Sequence, residues 1–436
     1  MVAPMQRYFV LGMILAAAGC SDPAVTPPSM ADAAVSFEDA AAPDARAADP
    51  DATAPDAEPA PDAEPAPDAA VIPPPPDPTG WAATGELSER RSHASATLLH
   101  DGRVLMVGGE DSAFAMLRSV EIYDPALGTW SPAASLTEPR AYHTASLLAD
   151  GRVLVAGGGP GSLISVPTGT GALASAVLYD PSTDAWTDAA PMNIARAGHG
   201  AATLADGRVL VVGGGNMVGY PCTGRPGCTV ADSLASADLF DPALNTWTEV
   251  APMTQARIVF TLTRLRSGKV AAIAGAANNA SLRSAESFDP ATLTWSPLPR
   301  LAQDRLYHAV AELGTGALVV VGGKISNVRP LSQVETLDED APAWATSDSL
   351  PPPRTGAIGV TLLSGNALFV GGGNQLGVRW LPNAQIFDAT TRTWAETSLV
   401  VGRFGHTVTV LQDGSVLVAG GEGSLGILKS AERSHL

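Results

Sequence analysis

The chain has 436 residues, 45% hydrophobic and 16% charged, with 44 glycines and 36 prolines, which is too apolar for a disordered protein and too rich in turn formers for a helical one. A formal net charge of −18 excludes nucleic acid as a partner, because a phosphate backbone needs a basic surface. Three cysteines exclude a dense disulfide framework or a Cys-rich zinc site, and the length holds two or three ordinary domains or one large repeat domain.

The first predicted element is not part of the fold. Arg7 supplies one positive charge, the apolar run YFVLGMILAAA follows, and small residues lead directly to Cys20. The run is too short to span a bilayer and reads as an export signal over residues 1–19. It resembles the bacterial lipobox, with Ala17 where that motif usually has Leu. The resemblance implies lipid attachment at Cys20. Ser21 behind it implies the outer membrane or cell surface of a Gram-negative bacterium. Without lipidation the same residues make an ordinary secretory signal.

Residues 20–80 form the second element. From Ser21 to Gly80 there are 18 Ala, 15 Pro and 13 Asp or Glu against one basic residue, Arg46. Such a segment has nothing from which to build a core, and Pro with like charges favours an extended acidic spacer. At ~3.1 Å per residue its upper reach is on the order of 190 Å.

From residue 81 onward the chain repeats itself. A small-residue–Gly turn recurs at Asp101-Gly102, Asp150-Gly151, Asp206-Gly207, Ser267-Gly268, Thr315-Gly316, Ser364-Gly365 and Asp413-Gly414. Six residues after each turn glycine stands a Gly-Gly pair, at 108, 157, 213, 322, 371 and 420; the fourth copy has Ala274-Gly275. Such a turn between two apolar runs predicts a β-hairpin, and runs apolar on both faces predict strands covered on both sides. A second hairpin follows in six copies, VEIYDPALGTW, AVLYDPSTDAW, ADLFDPALNTW, AESFDPATLTW, VETLDEDAPAW and AQIFDATTRTW, with Asp and Trp six residues apart each time. Each unit is therefore four short strands in about 50 residues, the sequence signature of a propeller blade.

Seven first hairpins and six second hairpins leave one blade short of its outer strand. The chain ends on SAERSHL, which matches a third strand, and Trp81 lies ten residues before Arg91, the spacing found elsewhere between Trp and Arg. The segment at Trp81 is thus predicted to complete the last blade and hide its edges. The units, with Arg-x-x-His, the double glycine and Tyr-Asp-Pro…Trp, resemble the kelch repeat. The resemblance implies an all-β fold over residues 81–436, a seven-bladed kelch-type β-propeller. Copy four departs with Phe260 in place of His, copy six with Ala357, and in copy one His93 sits one place early.

Function is expected on the face bearing the loops after the double glycines, because these vary in length. From second Gly to Asp they run 15, 22, 27, 14, 15 and 16 residues, with insertions at 159–174 and 215–235. On that face the candidate ligand-binding residues are Arg91, Arg140, Arg196, Arg257, Arg305, Arg354 and Arg403, read as a carboxylate-binding ring or as ties between blade loops, with Tyr220 and Trp380 as aromatic contacts. Cys222 and Cys228 flank TGRPG in the longest insertion, and in an exported protein they are expected to pair. Glu110, Asp111 and Glu422 are a weaker candidate for a cation, against solvated loop acids.

Tyr142-His143 and Tyr307-His308 resemble the copper ligands of galactose-oxidase-type enzymes. That family also needs a Cys cross-linked to a second Tyr and a further His, and no Cys stands near a suitable inner strand here. No Ser-His-Asp set or diagnostic carboxylate pair is present. The sequence therefore points to a non-catalytic, exported, monomeric binding module for an envelope or extracellular protein or glycan, with no cofactor and no resident metal. A copper oxidase or other carbohydrate-active enzyme and a structural envelope component are the alternatives.

Overall fold

The computed structural model describes residues 80–434 apart from 160–170, 216–232, 326–329, 375–379 and positions 279, 339, 348, 349 and 351. The expected export signal over residues 1–19, the expected lipid site Cys20 and the expected spacer over residues 20–80, like Tyr220, Cys222 and Cys228, lie outside the described residues, Gly80 apart.

Seven four-stranded antiparallel sheets account for the fold. Their innermost strands are Ser95–Leu98, Thr144–Leu147, Gly200–Thr203, Thr261–Arg264, Ala309–Glu312, Ile358–Thr361 and Thr407–Val410. Each packs beside the next, and the last beside the first, so the sheets close a ring of seven blades around a central channel. The Asp-Gly-type turns work because their glycines adopt positive φ, from 84° at Gly414 to 89° at Gly151 and Gly316, where a side chain is strained.

Second strands such as Val104–Val107 and Leu318–Val321 are buried along their whole length. Their two faces feed the apolar clusters on either side of a blade, and one such cluster fills every seam, including Val104, Tyr123, Leu411 and Leu417 between blades 7 and 1. In the outermost strand, the repeat Trp packs on the aromatic residue of the third strand, as with Tyr179 and Trp186 at 5.0 Å. Four of these tryptophans also donate their indole N–H to a carbonyl of the preceding blade: Trp186 to Ala134, Trp247 to Ala190, Trp295 to Ala251 and Trp344 to Pro299.

Blade 7 is assembled from both ends of this region. Trp81–Thr84 pairs antiparallel with Ala431–Ser434, Trp81 opposite Ser434, and so supplies its outermost strand.

Candidate functional site

The seven arginines do not form an open ring. Each is 0–1% exposed, and the guanidinium is turned into its own blade. Arg196 shows the pattern: Nη1 donates to the carbonyls of Gly213 and Ser236, and Nη2 donates to Ser236 Oγ and to Asp238 at 2.6 Å. The acid position of the third strand is occupied by Glu121, Asp238, Glu286, Glu335 and Glu432 in five blades, each paired with the blade's arginine. Blade 2 has Val177 there and blade 6 has Gln385. Burial pushes the guanidinium of Arg354 down to about 10, with only partial relief from Glu396. The expectation of a ligand-binding arginine ring is therefore corrected: charge at a loop position signalled a buried tie, and the guanidinium groups are spent on double-glycine carbonyls and carboxylates.

The histidines separate into two sets. His143, His199 and His308 turn into the seams, where Nε2 meets a hydroxyl of the preceding blade: Ser95 at 2.8 Å, Thr144 at 2.9 Å and Thr261 at 3.0 Å. Burial first, and then the adjacent arginine, lowers His143 and His308 to about 3. Tyr142 and Tyr307 take the opposite direction, so the Tyr-His pairs do not present two ligands to one point. Among the described residues no group of three or more His, Cys, Asp or Glu is arranged to hold a metal ion.

The residue preceding the seam position in each blade forms the rim of the channel. These are His93, Tyr142, Gly198, Val259, Tyr307, Gly356 and Gly405, all with positive φ between 53° and 70°. They are joined through their backbones, with His93 N–H donating to Gly405, Tyr142 to His93, Gly198 to Tyr142 and Gly356 to Tyr307. Glycine suits this conformation, whereas His, Tyr and Val held there cost of order 1–3 kcal/mol each, and such strain clusters at functional sites. The irregular placement of His93 in the sequence thus has a structural meaning: it takes the rim position, and Ala94 takes the seam position.

Charged and aromatic side chains collect at this mouth. Glu110, 3% exposed, accepts from His93 Nδ1 at 2.9 Å and Tyr142 Oη at 3.3 Å on one carboxylate oxygen. His93 stacks on Tyr142 with ring centres 4.4 Å apart and meets Phe404 edge-on. Phe404 lies over Gly356, where an added Cβ would stand 2.0 Å from the ring, and it also reaches Tyr307 and stacks on Trp380. Lys324 is buried, with its ammonium 5.4 Å from the centre of the Tyr307 ring. Blades 3 and 4 contribute an apolar stretch, Ala197, Ile258 and Val259, packed with Tyr142.

Electrostatics tie these groups together. Burial raises Glu422, Glu110 raises it further, and His93 opposes the shift. Tyr142 is pushed well above its ordinary value by burial first, then by Glu110, Tyr307 and Glu422. Lys324 is lowered by burial.

Of the acidic trio expected from sequence, Glu110 and Glu422 come to the mouth. Asp111 does not join them: its Oδ1 caps its own loop by accepting from the amides of Ala113 and Ala115. Trp380 is placed at the mouth against Phe404. Sequence reasoning missed His93, Lys324 and Phe404. The signal available was position: Glu110, Lys324 and Glu422 directly follow double glycines, and His93 breaks the repeat's spacing.

The fold defines a closed seven-bladed β-propeller with polar and aromatic side chains gathered at one end of the channel. Its repeat is the kelch repeat, and the chain is a kelch-repeat propeller. The kelch motif model matches residues 195–254. Kelch-like protein 28 of Mus musculus is 35% identical over 103 residues, covering 24% of this chain and 17% of that protein. Kelch-like protein 25 of Rattus norvegicus is 41% identical over 76 residues, covering 17% and 12%. The match thus spans about one sixth or less of these relatives' length. Among solved structures, a fungal alcohol oxidase of the AA5 family in complex with copper superposes with a TM-score of 0.62 at 18% identity, over 82% of this chain and 76% of that one. YjhT superposes with a TM-score of 0.54 at 16% identity, over 72% of this chain and 99% of that one. At these identities the likeness is one of fold.

Proposed function

We propose that this chain is a non-catalytic binding module, exported and lipid-anchored through Cys20, that engages an envelope or extracellular protein or glycan with the face holding the channel mouth. One observation carries the reading: the strained, non-glycine rim residues His93, Tyr142 and Tyr307 bring their side chains to the same mouth as Glu110, Lys324 and Phe404. The buried arginines of the scaffold, by contrast, turn their guanidinium groups into their own blades. The spacer composition supports display at a distance from a membrane.

Cross-linking on intact cells tests it. Phe404→Ala and Trp380→Ala are expected to abolish capture of the partner. Leu127→Ala and Leu244→Ala, exposed at Asp-Pro turns of the other face, are expected to leave it intact. Labelling with a radioactive fatty acid, lost in Cys20→Ser, tests the anchor. Capture indifferent to the mouth variants would sink the placement of the binding face.

A further inference from the structure

The mouth contains hydrogen-bonding groups with unspent capacity, and their mixture is informative. One oxygen of Glu110, Oε2, is buried and receives no hydrogen bond, while the other accepts from His93, Tyr142 and, at 3.5 Å, Ser92. Glu110 is buried, and a buried polar atom without a partner calls for an explanation. Lys324 is 5% exposed, and among the described residues no carboxylate pairs with it; its ammonium stands over the Tyr307 ring. His93 uses Nδ1 on Glu110.

The two kinds of group do not cancel each other. Glu110 and Glu422 can only accept when ionised, and Lys324 can only donate. An organic cation would satisfy the carboxylates and meet Lys324; an anion would satisfy Lys324 and meet the carboxylates. A ligand group that both donates and accepts, without charge, uses all of them, and the hydroxyl is the smallest such group. Several hydroxyls on one rigid frame, with C–H faces to lie against Tyr307, Phe404 and Trp380, describe a saccharide. The site is also pre-organised: the rim backbones are hydrogen-bonded to one another, and Phe404 is wedged over Gly356.

We infer that the channel mouth binds the end of a neutral saccharide, with Glu110 and Glu422 accepting from its hydroxyls, and Lys324 and the Tyr307 hydroxyl donating to them. The inference rests on the binding-module reading and narrows it to a ligand class. The free sugar and the terminal unit of an envelope glycan share this chemistry.

The full chain is titrated by calorimetry with glucose, galactose and N-acetylglucosamine, each as monomer and as oligomers of two to four units. A Lys-rich peptide and a Glu-rich peptide serve as charge controls. The expected result is a dissociation constant below about 1 mM for at least one neutral saccharide. Lys324→Met and Glu110→Gln should each weaken it tenfold or more, and Tyr307→Phe, which removes only a hydroxyl, about fivefold to tenfold. Tighter binding of an oligomer than of its monomer would assign the glycan end, and equal binding the free sugar. Because Glu110→Gln risks the fold, Tyr307→Phe and the exposed-face control Leu244→Ala decide the matter. Binding of the Lys-rich peptide alone, abolished by Glu110→Gln, would overturn the saccharide and leave the module reading in place. Binding of no saccharide, together with cross-linked partner capture that survives Tyr307→Phe and Lys324→Met, would overturn it as well. Failure of both assays would remove the module reading itself.

Discussion

The amide of Gly421 donates to the carbonyl of Arg91 at 2.8 Å, and this bond fastens blade 7 to blade 1. The same bond occurs in every other seam, from Gly109 to Arg140, Gly158 to Arg196, Gly214 to Arg257, Gly275 to Arg305, Gly323 to Arg354 and Gly372 to Arg403. Each arginine therefore serves two blades: its backbone holds the one before, and its guanidinium holds its own. Arg257→Met should cost about 3–5 kcal/mol, because Glu286 is left buried without its cation. Arg140→Met should cost less, since its only acid, Glu138, is 45% exposed and 3.5 Å away. Denaturant unfolding of the two variants checks the order; equal losses would mean that the carbonyl ties, not the ion pair, dominate.

The seam histidines read as a matched set within the chain. His143, His199 and His308 each face a hydroxyl, whereas His406 follows a blade with Ile358 at that position and has no partner on either ring nitrogen. Thr407, which is followed by Ala94 in blade 1, turns its hydroxyl to the carbonyl of Ala419 instead. Thr261→Val should therefore destabilise by about 1–3 kcal/mol, stranding Nε2 of His308, while Thr407→Val should cost under about 1 kcal/mol. Indistinguishable melting of the two variants would contradict a seam role for the histidines.

Blade number and the hairpin pattern were legible because they depend on local signals: Asp-Gly turn chemistry, apolar runs and fixed spacing from Asp to Trp. Side-chain direction was not legible. Seven arginines at loop-like positions look solvent-facing, yet five of them have carboxylate partners on third strands, 29 to 42 residues further along the chain in the pairs Arg403–Glu432 and Arg196–Asp238. The mouth was half legible. Glu110, Glu422 and Trp380 were found from their loops, but His93 was read as a slipped repeat residue because the left-handed rim position has no sequence signature beyond a glycine preference, which His93, Tyr142 and Tyr307 violate.

Acid should weaken the propeller through its seams. The folded state holds His143, His199, His308 and His406 at about 3, below their ordinary 6.5, so they stay neutral while unfolded chains take up protons. Their contribution is complete above about pH 6.5 and is lost as pH falls towards 3. Each histidine adds up to ~1.4 kcal/mol per pH unit in that window. Urea unfolding at pH 7, 6 and 5 should show falling stability, and His308→Gln should flatten the slope by about one proton. An unchanged slope would show that His308 already titrates in the folded state.

Ring closure depends on the strand at the start of the propeller. Trp81 is buried in the seam between blades 6 and 7 with Leu362, Leu368, Val416 and Val418, and Thr84 bonds the Tyr123 hydroxyl of blade 1 at 2.7 Å. Removing Trp81–Thr84 would uncover the edge of Ala431–Ser434 and open that core. A chain starting at residue 80 should melt like the 436-residue chain, because the Ala-, Pro- and Asp-rich composition of residues 21–80 offers no apolar set to bury. A chain starting at residue 86 should melt at lower temperature and aggregate through the bare edge. Trp81→Ala, which keeps the strand, should cost about 3–5 kcal/mol by loss of the indole alone. If the shorter chain instead melts normally and stays soluble, blade 7 must be held by its three remaining strands, and the closing bond from Gly421 to Arg91 would then carry more of the ring than the strand does.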